Sequence, residues 1–506
     1  MAAGHYVRIG AFKVIRERPT SGLCVIQSRY CFERRLTIPT SEAMNCPAEL
    51  LGKLAGPPYA GKGVRNAMLA RLLLILPIML SGASGQVSTF SAAGPNDSPS
   101  IVILRHQLDS GDAAALKRFW DAVHHSGAPL IQAVPGANGF SLVTFLWQGN
   151  DQTRNVAIFD GVAGFDAKDQ MLHLEGSDVW YKTYRVRNDA RFAYNLSPND
   201  SLQPFDQVKG DEAMRDRLAM LKIDPLNPHR CPTTFGAYGA ESSYVALPDA
   251  PHIVWNLPAA ESRKGKVTEA AIHSEYLKGE KKLWIYTPAG FRKHGDRYPL
   301  LVVFDGDRNV MWVPEILDVL IAQGRIPRMV AVMTDESVPS ERRNELPCNP
   351  QFADFLAEEL VPWTRRNYYA TTKAERSIVA GSSFGGLASV FAGLKHPEVF
   401  GNVISLSGSF WWKPDGEQEG EWLTRLVNSS PRRPLRFYLE VGLMESYPVQ
   451  VETNRHMRDA LTAKGYPVGY FEYDGGHSFL NWSGGVENGL KYLIRQSNSK
   501  DAGSHN

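Results

Sequence analysis

The chain has 506 residues, of which 43 % are hydrophobic and 10 % aromatic, and a net charge of +2. That length is too great for one ordinary domain and suits two or three. The composition excludes a disordered chain, and the near-balanced charge leaves no global basic excess of the kind nucleic-acid binding draws on.

The first distinctive stretch lies near Met68. Arg71 precedes Leu72-Leu73-Leu74-Ile75-Leu76-Pro77-Ile78-Met79-Leu80, and Ser81-Gly82-Ala83-Ser84-Gly85-Gln86 follows. A basic residue, a short apolar run and small residues are the parts of a secretory signal. The run is short for a bilayer span. The expectation is a native start at Met68, a signal over residues 68–85 and an upstream extension over residues 1–67 that is not part of the native chain. The mature protein is then periplasmic, without stable membrane insertion. The alternative is a basic N-terminal arm ahead of a weak anchor on a cytoplasmic chain. Cys24, Cys31 and Cys46 lie upstream, leaving Cys231 and Cys348 beyond the signal. Their spacing fits no zinc pattern. A disulfide and two buried thiols both remain open.

After a Ser/Pro/Asn/Gly linker over residues 88–100, Leu116, Phe119, Trp120 and Val123 recur at helical spacing. Residues 141–147, 155–159 and 180–186 read as strands, separated by Gly149-Asn150-Asp151 and Asp160-Gly161 turns. Short strands at such intervals predict an N-terminal β-sandwich over residues 100–250. Asp224-Pro225-Leu226-Asn227-Pro228 and the stretch to Pro258 read as the linker out of it. From about Glu275 the pattern changes to strands alternating with helices. Strands are expected at 282–287, 299–304, 329–333, 403–407, 435–440 and 468–473, with helices at 313–321, 351–368 and 449–464. That alternation predicts a mostly parallel sheet over residues 265–498.

In the middle of this domain stands Ser377-Ile378-Val379-Ala380-Gly381-Ser382-Ser383-Phe384-Gly385-Gly386, followed by small and apolar residues at helical spacing. An apolar strand, a Gly-x-Ser-x-Gly turn and a helix together describe a nucleophile elbow and an α/β-hydrolase fold. Ser383 is the nucleophile; Ser382, at the x position, points elsewhere. The order nucleophile, acid, histidine places the base downstream. His477, in Asp474-Gly475-Gly476-His477 after the last strand, is better placed than His396, His456 or the terminal His505. For the acid, Glu445, past a Gly turn, is better placed than Glu440, still on its strand. Backbone N–H groups of Phe384 and of the loop near Asp307 are the expected oxyanion donors.

These motifs resemble the ferric enterobactin (enterochelin) esterases, serine hydrolases that open the trilactone of catecholate siderophores. The resemblance runs over roughly residues 105–495. It rests on the elbow, on Asp305-Gly306, on Arg342-Arg343-Asn344-Glu345-Leu346-Pro347-Cys348-Asn349 and on Ser405-Leu406-Ser407-Gly408-Ser409-Phe410-Trp411-Trp412, besides Asp224-Pro225-Leu226-Asn227-Pro228 and Asp474-Gly475-Gly476-His477. It implies a triad of Ser383, Glu445 and His477, with no cofactor or metal beyond the iron carried by the substrate. A ferric tris-catecholate is bulky and trianionic, so it calls for cations and aromatics. Arg342 and Arg343, in a loop at the sheet's carboxyl edge, and Trp411 and Trp412 are the candidates to bind it, one tryptophan being core packing instead. Asp307-Arg308-Asn309 departs from relatives, which carry an aromatic soon after Asp-Gly. A general or feruloyl-type carboxylesterase, and a noncatalytic siderophore-binding protein, are the other readings. No nucleic-acid partner is expected.

Overall fold

A computed structural model describes residues 98–134, 136–164, 169–232, 241–252, 263–445 and 449–502, together with four short N-terminal strands. Those four, β1 (His5–Ile9), β2 (Phe12–Arg16), β3 (Leu23–Ser28) and β4 (Leu36–Pro39), form an antiparallel sheet in sequence order. They belong to a unit of their own, Met1–Thr89. The expected signal over residues 68–85 lies outside the described residues.

The second unit holds two domains. Its first is a β-sandwich of β5 (Leu130–Ala133), β6 (Phe140–Gln148), β7 (Val156–Phe159), β8 (Leu172–His173), β9 (Val179–Arg187), β10 (Arg191–Pro198), β11 (Arg230–Pro232) and β12 (Glu241–Ala246). The sheets are ordered β5-β6-β9-β8 and β11-β12-β10-β7. They share one core, in which Val143, Phe145 and Val186 of the first meet Ile158, Phe192, Tyr194 and Val245 of the second. Helices α1 (Pro99–Asp109) and α2 (Ala115–Ser126) pack Ile101, Leu104, Trp120 and Val123 onto Leu146, Val179 and Tyr181. Alternation along β6 thus sends Phe145 to one face of its sheet and Leu146 to the other. A third helix, α3 (Asp211–Ala219), follows β10.

The linker expected from Asp224 to Pro258 is corrected in part. Residues 230–232 and 241–246 are strands of the second sheet, so the domain runs on past the prolines. Asp224 and Asn227 are buried and both hydrogen-bond the Tyr194 hydroxyl, at 2.6 and 3.0 Å. Asp224 Oδ1 also accepts from the Leu226 N–H and Asn227 Oδ1 from the His229 N–H. Each is an Asx turn, a side-chain oxygen accepting from the backbone N–H two residues on, across the intervening proline. The turn signal was real; its meaning was a buried corner of the sandwich.

The catalytic domain is an eight-stranded sheet ordered β13-β14-β16-β15-β17-β18-β19-β20. Its strands are β13 (Lys266–Ser274), β14 (Gly279–Thr287), β15 (Leu300–Val303), β16 (Val330–Thr334), β17 (Ser377–Ser382), β18 (Asn402–Leu406), β19 (Arg436–Gly442) and β20 (Val468–Tyr473). The first two pairings, β13 with β14 and β14 with β16, are antiparallel; the other five are parallel. Its helices are α4 (Gly306–Asn309), α5 (Val313–Ala322), α6 (Pro339–Glu345), α7 (Pro350–Asp354), α8 (Val361–Asn367), α9 (Phe384–Lys395), α10 (Trp422–Ser429), α11 (Gln450–Ala463) and α12 (Phe479–Ala502). The helix expected over residues 351–368 is interrupted by a π-helical stretch, Phe355–Leu360.

Both faces of the sheet are covered, which is why its strands are continuous apolar runs. Leu300, Val302 and Phe304 face a core shared with Phe352, Leu356, Leu387, Leu423 and Leu461. Leu301 and Val303 face Ile316, Leu320, Trp482, Val486 and Leu490. The parallel strands all end on one edge, and the turns beyond β15 to β20 gather there. In such sheets that edge is where ligands bind.

Candidate active site

Ser383 sits between β17 and α9 with φ 58° and ψ −122°, a conformation that L-residues rarely adopt. Two close approaches make it possible. A Cβ at Gly381 would fall 2.5 Å from the Gly385 backbone, and one at Gly386 would fall 2.8 Å from Ser405 Oγ. Only glycine lets the chain reverse so tightly and α9 lie so close to β18. The Ser383 N–H donates to the Leu406 carbonyl (2.9 Å), and its carbonyl accepts from Leu387 and Ser409. Ser382 is buried on β17, its hydroxyl without a hydrogen-bond partner.

The other two triad candidates meet directly. His477 Nδ1 donates to Glu445 Oε2 at 2.7 Å. Glu445 Oε1 accepts the Gly442 N–H (2.9 Å) and the Ser407 hydroxyl, so both oxygens of this buried carboxylate are engaged. Glu440 lies 2.7 Å from the Tyr438 hydroxyl, close to Gly485 on α12. Burial, with the nearby Glu445 charge, pushes the Glu440 carboxyl up to about 7. His396 bonds Asp354 and Glu398, and His456 bonds Glu421. Neither enters the site.

Three further residues complete the site: Ser407 and Ser409, which stood in the sequence only as part of a motif, and Trp482 of α12. Ser407, at φ 47°, hands its hydroxyl to Glu445 and accepts the Trp482 indole N–H (2.9 Å). The Trp482 ring stands edge to face against His477, centroids 4.7 Å apart. Ser409 lies 3.4 Å, Oγ to Oγ, from Ser383. The Ser-Gly-Ser segment after β18 therefore bridges nucleophile and acid. A serine directly after an apolar strand and before a glycine was the available signal.

The expected oxyanion donors both lie in first helical turns, where N–H groups have no acceptor within the helix. Phe384 opens α9, and Asp307 is the second residue of α4. The nearest atoms to a Cβ at Gly385 are Asp305 Oδ2 and Phe304 side-chain carbons, at 3.5 Å, so the two loops touch. Asp305 is left-handed (φ 54°) and buried. Its N–H donates to Glu336 Oε2 at 2.6 Å. Burial pushes the Glu336 carboxyl up to about 8, against the opposing charge of Lys281. Lys281 also bonds Glu345 at 2.5 Å. The Asp307 carboxylate pairs with Arg308 Nε at 2.7 Å.

Arg342 and Arg343 lie on α6, not in the loop expected for them; Pro339 suits a first helical turn. Arg342 grips Asp305 with two bonds, Nε to Oδ1 at 2.5 Å and Nη2 to Oδ2 at 2.9 Å. Its guanidinium carbon stands 5.9 Å from the Phe384 ring centre. Burial works against its charge and Asp305 outweighs this, so its pKa rises. Arg343 is exposed. Trp411 lies beside Phe384, ring centres 5.8 Å apart, and donates to Gln450 Oε1 at 2.8 Å. Trp412 packs instead on the core and on Trp422. The structure brings Arg342 and Trp411 to Phe384, while Arg343 is exposed and Trp412 serves core packing.

Cys231 and Cys348 are separate, buried, free thiols, which resolves the choice left open between them. Among the described residues no group of three or more His, Cys, Asp or Glu is placed to hold a metal ion. No described helix is long and apolar enough to cross a membrane.

A strained serine at a strand-to-helix turn, with a Glu–His pair and two helical N-termini at one sheet edge, defines a serine hydrolase of the α/β-hydrolase class. Comparison with known proteins narrows this. Residues 274–492 match the Esterase family and residues 142–256 the enterochelin esterase N-terminal family. The iron(III) enterobactin esterase of Escherichia coli O6:H1 (strain CFT073) is 32 % identical over 368 residues, 69 % of this chain and 90 % of that protein. That of Dickeya dadantii is 29 % identical over 426 residues, 76 % and 95 % of the two chains. The crystal structure of ferric enterobactin esterase from Salmonella typhimurium superposes with a TM-score of 0.63 at 28 % identity, covering 75 % of this chain and 99 % of that one. The enterobactin esterase of Shigella flexneri in the presence of enterobactin gives 0.62 at 29 %, covering 75 % and 98 %. The chain belongs to the iron(III) enterobactin esterase family.

Proposed function

We propose that this esterase hydrolyses the trilactone bonds of ferric enterobactin-type catecholate siderophores, with Ser383 as nucleophile, His477 as base and Glu445 as its orienting acid. The observation that carries the reading is the 2.7 Å His477–Glu445 contact at the sheet edge where Ser383 holds its strained turn. Ser383 Oγ attacks an ester carbonyl as His477 Nε2 takes its proton. Glu445 keeps the imidazole in the tautomer with Nε2 free and offsets the imidazolium charge. The N–H groups of Phe384 and Asp307 receive the oxyanion. Collapse expels the alcohol, which takes the proton from His477, and water then releases the acyl group by the same steps reversed. Iron enters only as part of the substrate.

Arg342 tests the substrate class. One edge of its guanidinium is spent on Asp305, and the remainder, next to Phe384 and Trp411, is the cation offered to a catecholate. Arg342→Ala therefore acts twice. It leaves Asp305 unpaired behind the oxyanion loop, which lowers turnover of any ester. It also removes a charge-assisted contact worth roughly 1.5–3 kcal/mol to the ferric trianion alone. Measured kcat/KM should fall about tenfold to a hundredfold further for ferric enterobactin than for a small neutral ester. Arg342→Lys restores little, because an ammonium cannot reproduce the two-pronged bond. Equal losses on both esters would assign Arg342 to the loop alone.

Export rests on residues 68–86 alone. A secretory signal there predicts a mature N-terminus near Gln86 in the native host. N-terminal sequencing that finds an intact upstream segment on a cytosolic chain would remove the periplasmic location.

A further inference from the structure

The loop that carries His477 is built against the N-terminal sandwich. Arg191, at the start of β10, donates its N–H to the Asp474 carbonyl at 3.0 Å, and Arg187 pairs with the Asp474 carboxylate. A Cβ at Gly475 would come within 2.6 Å of the Arg191 carbonyl oxygen, and one at Gly476 within 3.1 Å of Asp160 Oδ1. Gly475 thus leaves room for Asn481, 2.5 Å from such a Cβ, and for the other domain's backbone, and Gly476 gives Asp160 a close approach. On the acid's side, Met444 packs on the sandwich core beside Glu445. Beyond His477, Leu480 joins Ala193 and Cys231.

Asp160 stands at the centre of this contact. It follows β7 in a left-handed turn, φ 70°, and is buried. Its Oδ1 accepts the Gly161 N–H at 2.7 Å. The turn therefore sets a carboxyl against Gly476, one residue from the base. We propose that Asp160 is a positioning residue of the catalytic base, a carboxylate supplied by the N-terminal domain that favours the charged His477 ring formed during attack. This rests on the reading of Ser383, His477 and Glu445 as the triad.

Among the described residues, the titratable groups facing Asp160 are His477 and Glu445 from the two hydrolase loops and the Cys231 thiol of β11. Burial pushes the Asp160 carboxyl up to about 7; the Gly161 N–H and His477 act against this shift and Glu445 with it. Burial pushes Cys231 up to about 12, so that thiol stays neutral. Asp160 then changes charge within the working range. As the anion, above about 7, it stabilises the imidazolium of the transition state. Protonated, at lower pH, it contributes nothing.

The test is the pH profile of the full-length chain on a neutral chromogenic ester, for wild type and Asp160→Asn. Asparagine keeps the left-handed turn and the size of the side chain while removing the charge. The variant should be on the order of threefold to tenfold slower at pH 9, with KM unchanged, and should converge on wild type near pH 5.5. Asp160→Gly, which also suits the turn, should show the same convergence. Profiles that superimpose, or that differ by one constant factor at every pH, would overturn the proposal, since a purely structural role scales the whole curve. Ser383→Ala run alongside separates the two readings. If it keeps its activity, the triad reading fails; if it is dead while the Asp160→Asn curve matches wild type, only the role of Asp160 falls.

Discussion

Ser383→Ala lowers kcat on ferric enterobactin by on the order of 10⁴-fold or more, while siderophore binding stays close to wild type. The reason is local. The strained turn is held by Gly381, Gly385 and Gly386 and by backbone bonds to Leu406, Leu387 and Ser409, none of which uses the Ser383 hydroxyl. Removing it deletes the proposed nucleophile and leaves the proposed oxyanion donors and Arg342 in place. Ser382→Ala is the control. Its buried hydroxyl has no hydrogen-bond partner, so its removal strands no other group and costs little. Steady-state turnover with titration of ligand binding checks both. A dead Ser382→Ala beside an active Ser383→Ala would reverse the assignment.

Glu445→Gln has the next largest effect, a kcat loss of about 10³- to 10⁴-fold, in line with acid-to-amide changes in other triads. Glu445 Oε1 accepts from the Gly442 N–H and the Ser407 hydroxyl, and Oε2 from His477 Nδ1. A glutamine satisfies the first pair only by turning its NH₂ toward His477. That favours the tautomer with the proton on Nε2, which cannot accept from Ser383. Glu440→Gln makes the contrast. Glu440 partners Tyr438 near α12, so its kcat should stay near wild type. A kcat loss at Glu440 equal to that at Glu445 would mean that buried charge in general, and not the orientation of His477, sustains turnover.

Why was so much of this legible in the sequence? The elbow is written in consecutive residues, because Gly381, Ser383 and Gly385 act within one turn. The parallel strands are apolar throughout, since Leu300 to Val303 face cores on both sides. Chain order alone brought His477 and Glu445 into consideration. What escaped depends on contacts distant in sequence. Asp224 and Asn227 look like linker residues until Tyr194 is seen between them. Arg342 reads as a loop cation held wholly for the substrate until Asp305, 37 positions away, takes its fork. The long terminal helix α12 was overlooked although Phe479, Trp482, Val486, Leu490 and Leu493 line one face of it. Asp160 read as half of a turn, which it is; only the packing of two domains sets it against Gly476.

Opening the ester bonds of a ferric catecholate trilactone is the reaction that sets this chain apart from a general esterase. Mass spectrometry of the products formed from ferric enterobactin tests it most directly. Ring opening is expected, with the mass of one water gained per ester cleaved, ending in linear and smaller catechol–serine fragments, and no products form with Ser383→Ala. Intact trilactone after prolonged incubation, with the same enzyme sample cleaving a chromogenic ester, would contradict it.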